Sequence, residues 1–198
     1  MNAEHNLEFT DPFELFARWL KEAEGSEPND ANAAALATTT ADGHPSVRIV
    51  LVKRADERGF CFFTNAESKK GIQLQSNPRA ALCFHWKTLR RQVRVDGPVT
   101  EMDAADVDAY FHTRSRDSQI GAAVSQQSRP LSSREELDAR FRKFSEQHPG
   151  EVPRPPYWHG FCLLAEQIEF WINGEHRLHD RFLFTREAGR WQTIRLYP

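Results

Sequence analysis

Three cysteines, two methionines and ten glycines in 198 residues leave several chemistries short of material. Cys61, Cys83 and Cys162 are odd in number, widely spaced and set in apolar runs. That pattern fits reduced, buried thiols better than disulfides or a zinc site. The glycines form no Gly-rich dinucleotide fingerprint, so no Rossmann turn is expected to cradle a cofactor. No apolar run approaches membrane-spanning length, and the opening segment, residues 1–10, is polar and acidic where a secretory leader would be apolar. A dominant charge sign is also missing. The 26 Lys and Arg against 28 Asp and Glu give a net charge of -2, without the global basic field that nucleic-acid binding uses. The expectation is a soluble, cytoplasmic protein with no nucleic-acid or membrane partner, folding as one domain over residues 1–198.

What is present is a strand-rich pattern between helices. Asp11-Pro12-Phe13-Glu14 combines a capping residue, proline at the first helical position and a carboxylate three residues after the cap. Phe13, Phe16, Ala17 and Leu20 follow at helical spacing, which predicts a helix over about 11–24. Ala33 to Thr40 and Ser46 to Lys53, joined by Asp42-Gly43, read as a hairpin; Gly59 to Asn65, Arg79 to Trp86 and Arg91 to Asp96 continue the β pattern. Asp103 to Thr113 and Ser132 to Gln147 read as helices within a helical segment of about 103–147. Strands return over Phe161 to Trp171, Asp180 to Arg186 and Arg190 to Leu196. Strands at both ends of the chain favour one closed sheet, an α+β but mainly β fold: a small barrel with flanking helices.

Several stretches carry cations and hydrogen-bonding groups beyond folding needs. Asn173-Gly174 reads as a hairpin turn, which would put Arg177, His179 and Arg181 on one face of the following strand. Such a row suits a phosphate or a polarised heteroaromatic ring; a solvated edge strand blunted with charge is the plain alternative. Arg48 and Lys53 fall on opposite faces of one strand. The run from Phe63 to Lys70 supplies hydroxyls and two lysines before a helix start, either a phosphate cradle or an exposed turn with a capping serine. Tyr110, Arg114 and Ser118 are spaced four apart, so a continuous helix would line them on one face as a monophosphate clamp; an ordinary surface helix is the alternative. Arg79, His85, Lys87, Arg90, Arg91 and Arg94 cluster in one short stretch, which implies a small anionic ligand or a solvated charged face.

In order along the chain, Arg48-Ile-Val-Leu-Val-Lys53, Phe62-Phe-Thr-Asn65, Ser68-Lys-Lys70, Arg91-Gln-Val93, Tyr110-Phe-His112, Arg116-Asp-Ser-Gln-Ile-Gly121, Gln127-Ser128, Gln167-Ile-Glu-Phe-Trp171, His176-Arg-Leu-His-Asp-Arg-Phe182 and Arg195-Leu-Tyr-Pro198 resemble the pyridoxine/pyridoxamine 5'-phosphate oxidase family. The resemblance implies a homodimeric FMN-binding split β-barrel with both subunits contributing to each site. It implies FMN contacts at Arg48, Ile49, Val50, Leu51, Val52, Lys53, Phe63, Thr64, Lys69, Lys70, Gln92, Gln127, Ser128, Trp171 and Arg181. Substrate contacts are implied at Lys53, Tyr110, Arg114, Ser118, Arg177 and His179, the last two beside the reacting carbon. The implied reaction is oxidation of pyridoxine or pyridoxamine 5'-phosphate to pyridoxal 5'-phosphate by molecular oxygen. Phe63, Lys69 and Ala123 stand where the family often has tyrosine, arginine and tryptophan, and Lys69 lacks the bidentate fork of arginine. The chain also opens close to its first helix, without a longer leading segment.

Other functions remain open on residues alone. A same-fold flavin oxidase acting on another ring, such as a phenazine precursor, would not need Lys53, Arg114 and Ser118. A non-catalytic flavin- or pyridoxal-phosphate-binding carrier would hold cofactor without turnover. A metal at His176 and His179 is disfavoured, because a strand puts them on opposite faces and no cysteine is near.

Overall fold

The computed structural model describes residues 10–198; the polar opening run read at residues 1–9 lies outside the described residues. Helix α1, Pro12–Glu24, starts where the sequence indicates: the Asp11 side chain accepts the Phe13 N–H at 2.8 Å, with proline in the first turn. Leu15, Phe16, Trp19 and Ala23 bury one stripe of this helix against the barrel. The Arg91 guanidinium lies 4.6 Å from the Trp19 ring centroid and pairs with Glu22, tying helix to sheet.

Strands β1 (Ala33–Thr39), β2 (Pro45–Asp56), β3 (Gly59–Asn65), β4 (Arg79–Trp86), β5 (Arg91–Glu101) and β6 (Trp158–Leu163) close an antiparallel barrel in the order β4-β1-β2-β3-β6-β5, with β5 pairing back to β4. Strands β7 (Gln167–Ile172), β8 (Asp180–Glu187) and β9 (Arg190–Leu196) extend the sheet from β5. The expected mainly-β barrel with flanking helices is therefore what the chain forms. The returning run expected as one strand over Phe161 to Trp171 is split into β6 and β7, because Leu164 N–H and Glu166 N–H bond to Pro98 and Asp96 of β5 as the chain turns.

Inside the barrel Leu36, Val52, Phe60, Phe62, Phe84, Val93 and Phe170 form the main core with α1. The other face of β3 is covered too, by α3 (Ala104–Thr113), α4 (Arg116–Val124) and the loop before β6. Val107, Phe111, Ile120, Val152 and Trp158 make this second cluster, against which Phe63 and Tyr110 pack. Helix α2, Lys69–Ser76, follows β3, and α5, Arg134–Gln147, lies against α4.

The expectation of three reduced thiols is corrected. Cys61 and Cys162 sit directly opposite each other on β3 and β6 and are joined in a disulfide, while Cys83 is free. Their separation of 101 residues hides the pairing from sequence spacing, since strand register alone brings them together.

Candidate active site

The end of β3 and the start of α2 build the first part of the site. Ser68 caps α2 and accepts the Gly71 N–H at 3.3 Å, so the capping serine is real. Lys70 reaches back from the first turn, donating to Gln127 Oε1 at 2.6 Å, Thr64 Oγ1 at 3.1 Å and Ser68 Oγ at 3.3 Å. Lys69 donates its backbone N–H to Ser128 Oγ at 3.2 Å, and Ser128 adopts a φ of 71°. Gln127 and Ser128 are thus joined to the lysine pair.

Arg48 and Lys53 both lie on β2, where the register shifts between Val52 and Arg54 and interrupts simple alternation at Lys53. Arg48 turns inward and donates to the Leu36 carbonyl at 3.2 Å, Thr38 Oγ1 at 2.6 Å and Ser46 Oγ at 2.8 Å. These acceptors are neutral. Burial lowers the Arg48 pKa, and burial with repulsion from Arg48 brings the Lys70 ammonium down to about 8. Two half-buried cations held only by neutral oxygens favour an anion beside them, because neither positive charge is compensated by the fold.

A cleft of about 460 Å³ opens beside this cradle, lined by Ile49, Val50, Leu51 and Lys53 of β2 with Phe63, Thr64 and Lys70. Tyr110, Arg114, Ser115, Ser118, Gln127 and Trp158 complete its wall. The lining contains three cations and no carboxylate. Tyr110, Arg114 and Ser118 do meet there, but not along one continuous helix: α3 stops at Thr113, Arg114 takes an extended ψ of 152°, and Ser115 caps α4. Ser115 Oγ also donates to Ser118 Oγ at 2.8 Å. The kink turns both the guanidinium and the serine toward the cleft. Burial lowers the Arg114 pKa and raises that of Tyr110, and Arg114 Nη1 is buried without a hydrogen-bond partner among the described residues.

The second expected group lies elsewhere, and its sequence-based geometry is corrected. Asn173-Gly174 is not a tight hairpin turn: Gly174 has a φ of -112°, and a 3-10 turn over Glu175–Arg177 follows it. The left-handed residues are His176 and Arg177, at φ of 54° and 64°. Consequently Arg177 and His179 sit on a loop and only Arg181 is in β8, so the three do not share a strand face. His179 Nδ1 accepts the Gly174 N–H at 3.1 Å, leaving Nε2–H as the ring's donor, and its ring lies 4.5 Å from Trp171. Arg181 forks onto Glu169, Nε to Oε1 at 2.7 Å and Nη2 to Oε2 at 3.1 Å. Burial raises the Glu169 pKa, but Arg181 and Arg94 outweigh it and the carboxyl is held below its usual range. Gln92 pairs with Trp171 across β5 and β7.

Gln92, Trp171, Arg177, His179 and Arg181 are absent from the lining of the Lys53–Arg114 cleft. Val52 is buried in the barrel core, and Lys69 points its side chain outward. The expected cation cluster of β4 and β5 does not form one anion site either. Arg79 pairs with Glu166, Arg91 with Glu22 and Arg94 with Glu169, so these three arginines are matched within the fold. Sequence reading missed Ser115, Trp158 and the buried Gln73, whose Oε1 accepts from Thr38 at 2.6 Å and Ser46 at 2.6 Å. An N-cap signal at Ser115 was available; nothing in the periodicity marks the other two. No group of three or more His, Cys, Asp or Glu able to hold a metal occurs among the described residues. No helix among them is long and apolar enough to cross a membrane.

Comparison with known proteins bears on the family. Residues 20–148 match the family model described as pyridoxamine 5'-phosphate oxidase. Residues 158–198 match the pyridoxine 5'-phosphate oxidase C-terminal dimerisation region. The chain is 55% identical to the pyridoxine/pyridoxamine 5'-phosphate oxidase of Rhodospirillum rubrum, covering 98% of this chain and 99% of that one. It is 54% identical to that of Gluconobacter oxydans, over 95% and 94% of the two chains. Among solved structures, PhzG from Burkholderia lata, in complex with tetrahydrophenazine-1-carboxylic acid, superposes with a TM-score of 0.93 at 30% identity, over 100% of this chain and 98% of that one. A pyridoxamine 5'-phosphate oxidase-related, FMN-binding protein from Nostoc punctiforme shares the fold, with a TM-score of 0.78 at 19% identity over 95% and 98%. With both family models and relatives above half identity spanning nearly its whole length, the chain belongs to the pyridoxine/pyridoxamine 5'-phosphate oxidase family of enzymes.

Proposed function

We propose that the chain is an FMN-dependent oxidase that converts pyridoxine 5'-phosphate and pyridoxamine 5'-phosphate to pyridoxal 5'-phosphate. The observation that carries the reading is a cleft whose wall holds Lys53, Lys70 and Arg114 and no acid, with Arg48 a fourth uncompensated cation behind Lys70. That is provision for two phosphates. Arg48, Thr64, Lys69, Lys70, Gln127 and Ser128 fit the phosphate of FMN, as neutral partners leave the Lys70 and Arg48 charges available. The β2 segment from Ile49 to Lys53 and Phe63 border the same cofactor, and Gln92 of β5 approaches it from a second chain together with Trp171 and Arg181 of that chain's sheet extension. Bound there, FMN supplies the hydride acceptor and reoxidation by molecular oxygen.

Lys53, Tyr110, Arg114 and Ser118 grip the substrate phosphate with charge-assisted and neutral hydrogen bonds. Arg177 and His179 hold the pyridine ring and its C4' substituent, His179 through the Nε2–H that its bond to Gly174 leaves free. The alcohol substrate and oxygen give pyridoxal 5'-phosphate and hydrogen peroxide. The amine consumes a water as well and releases ammonia. A homodimer is part of the reading, since the matched C-terminal region is one described by dimerisation and carries Trp171, Arg177, His179 and Arg181.

Steady-state kinetics with phosphorylated and unphosphorylated pyridoxine test the clamp. Arg114→Ala or Lys53→Ala should lower kcat/KM for the phosphate about ten- to hundredfold, because each removes a charge-assisted bond. Ser118→Ala should cost less, and all three should leave the already poor rate with pyridoxine nearly unchanged. Equal losses on both substrates would overturn the assignment. Faster turnover of a tricyclic carboxylate than of pyridoxine 5'-phosphate would move the enzyme toward the kind of ligand held by its Burkholderia neighbour.

A further inference from the structure

The Arg114 guanidinium has no polar partner among the described residues, and its Nη1 is buried. Its neighbours are ring faces. The guanidinium carbon lies 5.1 Å from the Trp158 centroid and 5.8 Å from that of Phe111, two rings that meet edge to face at 5.0 Å. Trp158 is only 5% exposed and is pinned through its backbone, its N–H bonding to the Pro155 carbonyl at 3.0 Å and its carbonyl accepting Arg154 Nη1 at 2.8 Å. Its indole also lies near-parallel to Phe63 and Tyr110, with centroids 5.1 and 6.2 Å away, while Phe63 and Tyr110 stack at 4.0 Å. The three rings form a rigid block, and Arg114 leans on its outer member.

We propose that Trp158 is the positioning residue for phosphate recognition: its indole face holds the Arg114 guanidinium in the cleft with the hydrogen-bonding edge left free. This rests on the reading of the cleft as the phosphate end of the substrate site. A ring face attracts a cation through its quadrupole yet takes none of the in-plane N–H donors. A carboxylate would orient the guanidinium as firmly but would occupy its fork, as Glu169 does to Arg181. Aromatic support therefore aims the charge and keeps its donors for a ligand.

The test is kinetics of the flavin-loaded enzyme with Trp158→Leu and Trp158→Phe, alone and combined with Arg114→Ala. Trp158→Leu should raise KM for pyridoxine 5'-phosphate about tenfold, from loss of a desolvated cation–π contact, with kcat changed less than about twofold. Trp158→Phe keeps a ring face and should recover most of that loss. Once Arg114 is already alanine, either change should add almost nothing, since a residue acting through Arg114 has no further effect without it. Additive losses in the double variants, or an equal rise in KM for unphosphorylated pyridoxine, would overturn the inference. Should Trp158→Leu fail to fold, Trp158→Phe in the two backgrounds decides by the same additivity. A wild type indifferent to the phosphate would instead refute the proposed function, so the two failures are distinguishable.

Discussion

At the scale of single residues, the site is organised by which charges the fold satisfies and which it leaves. Arg79, Arg91, Arg94 and Arg181 each meet a carboxylate, whereas Arg48, Lys70 and Arg114 meet neutral oxygens or rings. Lys70 turns this contrast into a pH dependence. Burial, then repulsion from Arg48, sets its ammonium near a pKa of about 8 in the cofactor-free protein, and a phosphate dianion beside it would raise that value again. Below about pH 8 the lysine is charged before and after binding, so FMN affinity should be flat. Above it, binding must take up a proton, and affinity should fall by up to about tenfold per pH unit. Lys70→Arg keeps its charge and should remove the slope. The same depressed value makes the unfolded chain bind more protons between about pH 8 and the ordinary lysine range, so the cofactor-free fold should gain stability as pH rises through that window. Fluorescence titration of FMN into cofactor-free protein across the window checks the first expectation; an unchanged slope in the arginine variant would remove Lys70 from the phosphate site.

At the scale of elements, helix α1 and the strands of the barrel were legible because their signals are local: Asp11-Pro12 caps α1, and apolar alternation marks the strands. The meeting of Tyr110, Arg114 and Ser118 in one cleft was legible for a reason only partly correct. Their four-residue spacing suggests one helix, while the structure gathers them by breaking the helix at Arg114 and Ser115, between Thr113 and Arg116. The loop before β8 was misread because glycine suggests positive φ. At Gly174 its smallness is what matters, since a Cβ there would lie 1.9 Å from the Leu178 carbonyl oxygen. The Cys61–Cys162 bond and the neutral sheath round Arg48 depend on strand register between distant segments, which no local window contains. Gly174→Ala makes the loop a test of its own. The clash is with backbone, so the segment carrying Arg177 and His179 must move, at a cost of about 1–3 kcal/mol. Flavin reduction by pyridoxine 5'-phosphate in anaerobic stopped flow should slow at least about tenfold, as a misplacement of the ring-holding groups would produce, with FMN still bound. A variant that reduces its flavin at the wild-type rate would show that the loop does not position the substrate.

At the scale of the whole molecule, one chain carries two separate groups of polar side chains, which the proposed function makes two half-sites. The barrel cleft carries Lys53, Tyr110, Arg114 and Ser118, and the sheet extension carries Trp171, Arg177, His179 and Arg181. The outer face of β2 beside that cleft exposes Val47 at 68% and Ile49 at 66%, an apolar stripe that a second copy would cover. Ile49→Lys should therefore give a monomer that also loses FMN, read by sedimentation and absorbance. Complementation is the sharper test. Arg114→Ala and His179→Ala should each impair both sites of their own homodimer. In a mixed dimer with sites shared between chains, one site collects both substitutions and the other collects neither. Random reassociation makes half of all dimers mixed, each with one intact site, so an equal mixture should recover about a quarter of wild-type activity. Sites built within single chains would contain one substitution each in every dimer, and mixing would then restore nothing beyond the average of the two variants. Activity measured before and after reversible dissociation of the mixture separates the two arrangements, with each variant taken through the same treatment alone as its reference.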